Sequence, residues 1–205
     1  MKFLNYIDLL LNDAETDVRY TPNHTRLIGH FDGMDDRVSV HQLHAPMTTQ
    51  MLSELEKSYC FDIPAQLLEI YRTANGCFLC AGLMQLGSYR LPTFRLTILG
   101  LPTGSAYEDC QPFNIIIEDG DRPRNIPKTW LKFASYLELN DETFRGEYDL
   151  FVDTADGTVR GFARKQKKVS LKQPDFHWNT IDECLCSLYE QAVQYMKNDV
   201  KAYHI

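Results

Sequence analysis

Two pairs of cysteines, one pair of histidines, three carboxylate clusters and one basic run are the groups whose types and spacing could carry chemistry in this chain. Cys77-Phe-Leu-Cys80 has the two-residue gap of zinc and redox sites. A structural zinc site needs a second pair, and the candidate, Cys184 with Cys186, is separated by one residue within a helical pattern. Side chains two apart on a helix diverge by about 200°, so they do not face one ion. A redox pair belongs at a helix start near a strand–helix–strand unit, whereas Cys77 follows a helix end and enters a strand-like run. The expectation is buried, inert thiols, the common state of free cysteine.

His41-Gln-Leu-His44 would share a metal only on a helix, where residues three apart lie on one face. Its neighbours alternate like a strand, and no glutamate stands where a zinc protease motif needs one. His24, His30, His177 and His204 have no Cys or Ser neighbour arranged as a base–nucleophile pair. The acidic clusters are Glu118-Asp119-Gly-Asp121, Asp141-Glu142 and Asp153 with Asp156. None has the alternating ligands and distal glutamate of a calcium loop. Two readings stay open for them: solvated loop charge, or an acidic surface that faces a partner. The run Arg164-Lys-Gln-Lys-Lys168 lacks interleaved aromatics to stack bases, so it reads as charge on the edge of a hairpin strand. No phosphate-cradling loop is present. The sequence thus predicts no catalytic set, no metal and no cofactor.

The elements that must position these groups follow from periodicity. The chain has 205 residues, 44% hydrophobic and 24% charged, a soluble globular profile whose size can bury a core without metals or disulfides. Its net charge of −7 argues against a nucleic-acid surface and for a basic partner. The N-terminal stretch lacks a signal-peptide pattern, and no apolar run is long enough for a membrane span. The expected place is the cytoplasm, with reduced thiols. Phe3, Leu4, Ile7, Leu10 and Leu11 have helical spacing, and a polar stretch over 12–25 separates them from two short strands, 25–31 and 37–43.

A helix over 48–60 is capped by Thr48 or Thr49, with Met51, Leu52, Leu55 and Tyr59 on one face. The next helix begins at Pro64, buries Leu67, Leu68 and Tyr71, and closes where Asn75-Gly76 allows a left-handed residue. Short strands then follow from 77 to 165, with a hairpin turn at Asp156-Gly157. A last helix carries Ile181, Cys184, Leu185, Leu188, Ala192 and Met196 on one stripe, and Thr180 with Glu183 at capping-box spacing. Helices at both ends of an antiparallel run give an α+β fold.

The order of these parts resembles the SUKH superfamily over about residues 47–196: a helix, a Phe-Asp-Ile-Pro link, a helix ending in Asn-Gly and an immediate strand. Trp130 and Phe133, a strand carrying Asp153, the Asp156-Gly157 hairpin and a closing Trp-Asn-Thr-Ile-Asp-Glu-Cys-Leu helix complete it. Cys77 stands where a second glycine is common in that family. The resemblance implies a SUKH-like domain at 47–198, an antiparallel sheet flanked by N-terminal and C-terminal helices, behind an N-terminal extension at 1–46. The matching residues are structural: Pro64, Asn75 and Gly76 at the helix ends, Trp130 and Phe133 packing a strand edge, and Asp153, Asp156 and Gly157 at the hairpin. It also implies a non-enzymatic binding protein, an immunity protein that holds a basic toxin domain, plausibly a nuclease, in an inactive complex. The alternative, from the fungal branch, is a regulator of cell-wall glucan synthesis acting through protein contacts. The contact is expected on Glu118, Asp119 and Asp121, with Asp141, Glu142 and Glu147 as second choice, and neither nucleic acid nor membrane is an expected partner.

Overall fold

The computed structural model describes residues 1–12, 17–22, 24–31, 39–58, 63–86, 89–98, 123–127, 129–139, 144–164, 166–198 and 203–204. In chain order the elements are α1 (Lys2–Asn12), β1 (Val18–Tyr20), β2 (Arg26–Ile28), β3 (His30–Phe31), β4 (His41–Leu43), α2 (Thr49–Ser58), α3 (Ala65–Thr73), β5 (Cys77–Leu86) and β6 (Tyr89–Ile98). Then come β7 (Trp130–Leu139), β8 (Phe144–Asp153), β9 (Val159–Ala163), β10 (Phe176–Trp178), α4 (Ile181–Asn198) and β11 (Tyr203–His204). Nine strands form one antiparallel sheet in the order β1-β2-β4-β5-β6-β7-β8-β9-β10, and β3 pairs with β11 apart from it. With four helices, this is the α+β class read from the sequence. Of the strands expected between 77 and 164, those among the described residues form the middle of the sheet, and the one expected over 113–119 lies outside them. β1 and β2 join it through β4, and β10 adds the far edge, so strands from both ends of the chain lengthen it.

Side chains alternate between the two faces of a sheet, and the faces here are unlike. One is covered by helices. Phe3 and Ile7 of α1, Leu52 of α2, Leu67, Ile70 and Tyr71 of α3, and Ile181, Leu185 and Leu188 of α4 pack there against Leu43, Leu79, Leu96, Ala134, Leu150 and Val152. The other face carries a smaller group, Ile126, Trp130, Phe151, Phe162 and Val169, roofed by loop residues rather than a helix.

The helix ends explain themselves locally. The Thr48 hydroxyl accepts the Met51 N–H at 3.2 Å at the start of α2, as its position predicts. In α4 the Thr180 hydroxyl accepts the Glu183 N–H at 3.1 Å, while the Glu183 carboxylate reaches back one residue further than a standard capping box, to the Asn179 N–H at 2.9 Å. α1 is capped from another element: the Asp182 carboxylate accepts the Lys2 and Phe3 N–H groups at 3.0 and 2.9 Å. That bond pair satisfies two donors that a helix start otherwise leaves open.

Three local expectations are corrected. Pro64 is the cap residue before α3 rather than its first helical residue, and the Leu67 N–H bonds to its carbonyl at 2.8 Å. α3 closes on extended Ala74, whose N–H bonds to Ile70 O; Gly76, with φ of 87°, bends the chain into β5 two residues later. Ile70, not Leu68, completes the buried stripe with Leu67 and Tyr71, because Leu68 is half-buried. Trp130 and Phe133 lie on the part of β7 that precedes its ladder to β6, which begins at Ala134, so here only β8 pairs with it. Three residues apart, they fall on opposite faces, Phe133 in the helix-side core and Trp130 in the opposite group.

Candidate functional site

The face opposite the described helices is where polar chemistry concentrates. Register pairs align Thr97, Ser135, Asp149 and Phe162 across β6, β7, β8 and β9. Thr97, Ser135 and Asp149 are all buried. Burying a carboxylate is costly unless charge and hydrogen bonds compensate it, and two cations do so here. Lys132 Nζ lies 2.8 Å from Asp149 Oδ1, and Arg164 donates to the same oxygen from Nε and Nη2 at 3.0 and 2.9 Å. Arg164 also pairs with Glu147 through Nη1. Two carboxylates and two cations thus share one neutral group across β7, β8 and the end of β9. The sequence reading made Arg164 part of a solvating edge charge. Arg164 instead follows the end of β9, and its guanidinium is committed to Asp149 and Glu147 of β8.

Beside this group, two loops are locked together. The Arg124 N–H bonds to Lys167 O at 3.1 Å, the Asn125 side-chain amide bonds to Val169 O, and the Val169 N–H returns to Asn125 Oδ1 at 3.0 Å. Asn125 thereby acts as a strand residue would. Ile126 and Val169 are buried beneath, with Leu171 against them. Trp130 also lies in this apolar group, and the Arg160 guanidinium sits 4.5 Å from its ring centroid, with Asp153 Oδ2 3.7 Å from Nη1. On the solvent side the loops expose Arg124, Lys167, Lys168 and Lys172.

The Cys77, Cys184 and Cys186 thiols and the His41 ring lie on the helix side of the sheet, whereas His44 shares the opposite face with Phe78. Cys77 opens β5 and is wholly buried, which pushes its thiol up to about 12. Burial also raises Cys184 well above the ordinary thiol value and Cys186 to about 11. Thiolate is the reactive form, so these three are poor nucleophiles and poor metal ligands as they stand. Cys80 has its side chain outside the described residues. His41 on β4 and His44 just beyond it are buried as well, and burial lowers both to about 4. His44 Nδ1 lies 3.4 Å from the Thr25 hydroxyl. Among the described residues, no three His, Cys, Asp or Glu side chains are grouped as metal ligands would be.

The hairpin reads as expected. Asp153 and Thr158 close it, the Asp156 carboxylate accepts both the N–H and the hydroxyl of Thr158 at 2.9 and 2.7 Å, and Gly157 takes φ of 76°. The two Thr158 bonds hold the Asp156 carboxyl below its usual range. Asn75, beside the Gly76 bend, is buried, with its N–H on Ala45 O at 3.3 Å. Of the expected partner contacts, Glu118, Asp119, Asp121, Asp141 and Glu142 lie outside the described residues. Glu147 is half-buried, and its carboxylate is engaged by Arg164. What the sequence reading missed is the paired basic loops. Their signal was present: residues 122–128 hold three basic residues and 164–172 hold five, with no acid in either. Nothing in the sequence told that the two segments meet.

Compared with protein-family models, curated proteins and solved structures, the chain matches none. No described helix is long and apolar enough to cross a membrane.

Proposed function

We propose that the chain is a non-enzymatic binding protein of the immunity type, which blocks a basic toxin domain by forming a complex with it. The observation that carries this reading is the division of charge. Outside residues 122–128 and 164–172, thirteen basic residues face twenty-eight acidic ones. A surface so biased attracts a basic partner and raises its association rate. The buried thiols and histidines support the same reading, since they are held in forms that neither attack nor shuttle protons at neutral pH. A nuclease toxin suits such a protein because it needs a basic surface to hold phosphates. Blockade by an acidic surface is steric and electrostatic, with no bond made or broken.

The test is to search the genes beside this one for a nuclease toxin domain and to assay binding and inhibition with it. The expected result is a stoichiometric complex, loss of nuclease activity, and an association rate that falls steeply with salt. Glu118→Gln, Asp119→Asn and Asp121→Asn together should slow association about 10-fold at low salt and flatten the salt slope. An unchanged rate in that variant would refute the acidic loop as the contact, and no complex at all would refute the immunity reading.

A further inference from the structure

Eight of the chain's twenty-one basic residues lie in the sixteen residues of 122–128 and 164–172, which hold no acid. The fold brings these segments together. The Arg124 N–H on Lys167 O and the two hydrogen bonds between the Asn125 side chain and the Val169 backbone fix one loop against the other, and Ile126 and Val169 anchor both in an apolar group. Arg164 is spent on Asp149 and Glu147. Arg124, Lys167, Lys168 and Lys172 remain exposed, so the platform is rigid below and cationic above. A scattered charge run is ordinarily a solvated face. Two runs bonded to each other on a chain of net charge −7 are a different matter: they bring Arg124 and Lys167, far apart in sequence, to one place.

We infer that this two-loop platform is a second binding surface, separate from the acidic one, and that it takes an acidic segment of a protein partner. The ligand must be anionic, and its class follows from the surroundings. A long polyanion would run off the platform onto the acidic remainder of the chain, within reach of its repulsion, since charges are screened only beyond about 8–10 Å at ordinary ionic strength. Binding of single-stranded nucleic acid also wants rings for bases to stack on. The tryptophan near the platform is not free to serve: Trp130 is 7% exposed and its ring is covered by Arg160. Lysines are point charges on flexible stems, suited to carboxylates of varied geometry and not to a fixed bidentate fork. A short run of Asp and Glu, which ends before the repulsion begins, fits each of these conditions.

The probe is a fluorescently labelled deca-glutamate peptide, followed by anisotropy against the full chain at low and at physiological salt. The wild type should bind it, with affinity falling as salt rises. Arg124→Gln, Lys167→Gln and Lys168→Gln together should weaken binding at least about 10-fold at low salt. Lys57→Gln with Arg72→Gln, exposed cations on other elements, should bind as the wild type does. The melting temperature of each variant checks the fold, and Lys168→Glu alone serves as a second variant if the triple one melts early. Undiminished binding by the triple variant, or no binding by the wild type at low salt, overturns the proposal. So does tighter binding of single-stranded DNA or of phosphatidylserine vesicles through the same residues, which would assign the platform to another class of partner. None of these substitutions touches Glu118, Asp119 or Asp121, so the platform and the toxin-binding surface can fail separately.

Discussion

The two faces of the sheet solve opposite problems. Under the helices, burial is apolar, and even its titratable groups are kept uncharged: His41 and Cys77 lie there with their neutral forms favoured. On the other face the chain buries a charge, Asp149, and surrounds it with Lys132 and Arg164 instead of avoiding it. The first strategy draws its stability from area removed from water. The second gains little net stability, because desolvation consumes most of the Coulomb attraction, but it penalises every arrangement that breaks the pairing. The helix face therefore holds the fold together, while the paired charges hold β7, β8 and the end of β9 in one register.

Protonating the two buried histidines, His41 under the helices and His44 on the opposite face, should produce the largest effect. The sign follows from the lowered folded values. His41 and His44 bind protons near pH 6.5 when unfolded and only near 4 when folded, so between these limits the unfolded state binds more protons. Their contribution is complete above about pH 6.5 and is lost as pH falls toward 4, amounting to about 3 kcal/mol for each histidine. Urea midpoints measured from pH 7.5 down to 4.5 should fall steeply over this window. His41→Asn should lower stability at pH 7.5 yet flatten the dependence. A midpoint that stays level from pH 7 to 5 would show that the histidines are not dry, and the contrast between the faces would lose its main support.

Leu185→Ala is next. Leu185 is wholly buried in α4 among Cys184, Leu188 and the sheet, and truncation should cost about 2–5 kcal/mol in chemical denaturation. A cost below about 1 kcal/mol would mean that α4 repacks freely against the strands. This face was legible in the sequence, since a helix announces its buried stripe by a period of 3.6. The spacing of Ile181, Cys184, Leu185 and Leu188 marked a stripe that the structure buries in full. Local grammar carried nearly as far, through Thr48, Thr180 and the Asp156-Gly157 turn.

The opposite face was not legible, and the reason is physical. Lys132, Asp149 and Arg164 meet only because β7, β8 and β9 pair in one register, and pairing between strands is not a property of any one segment. Arg124 and Lys167 meet across forty-two intervening residues of chain. β1, β10 and β11 were passed over because two or three residues are too few to show an alternation. Arg164 was misread as solvated because its sequence neighbours are lysines, whereas its contacts come from β8.

Asp149→Asn should have the smallest of the three effects, and it tests the charged face directly. The substitution keeps the shape and one acceptor oxygen but removes the charge that two cations share. Glu147 then remains as the carboxylate partner of Arg164 among the described residues, and Lys132 loses its contact at 2.8 Å. Breaking a fully buried pair costs about 3–5 kcal/mol, but the Lys132 and Arg164 side chains are 28% and 25% exposed and can turn toward water. The expected cost is accordingly about 1–3 kcal/mol, read from urea denaturation at pH 7.5. Adding Lys132→Met should recover part of it, since the second change removes a cation that the first left unpaired, and a double-mutant cycle measures that coupling. A positive coupling of about 1 kcal/mol or more would mean that the face is organised by charge. If the two costs simply add, Asp149 is held there by its hydrogen bonds alone, and the opposition between an apolar face and an electrostatic one reduces to a difference in polarity.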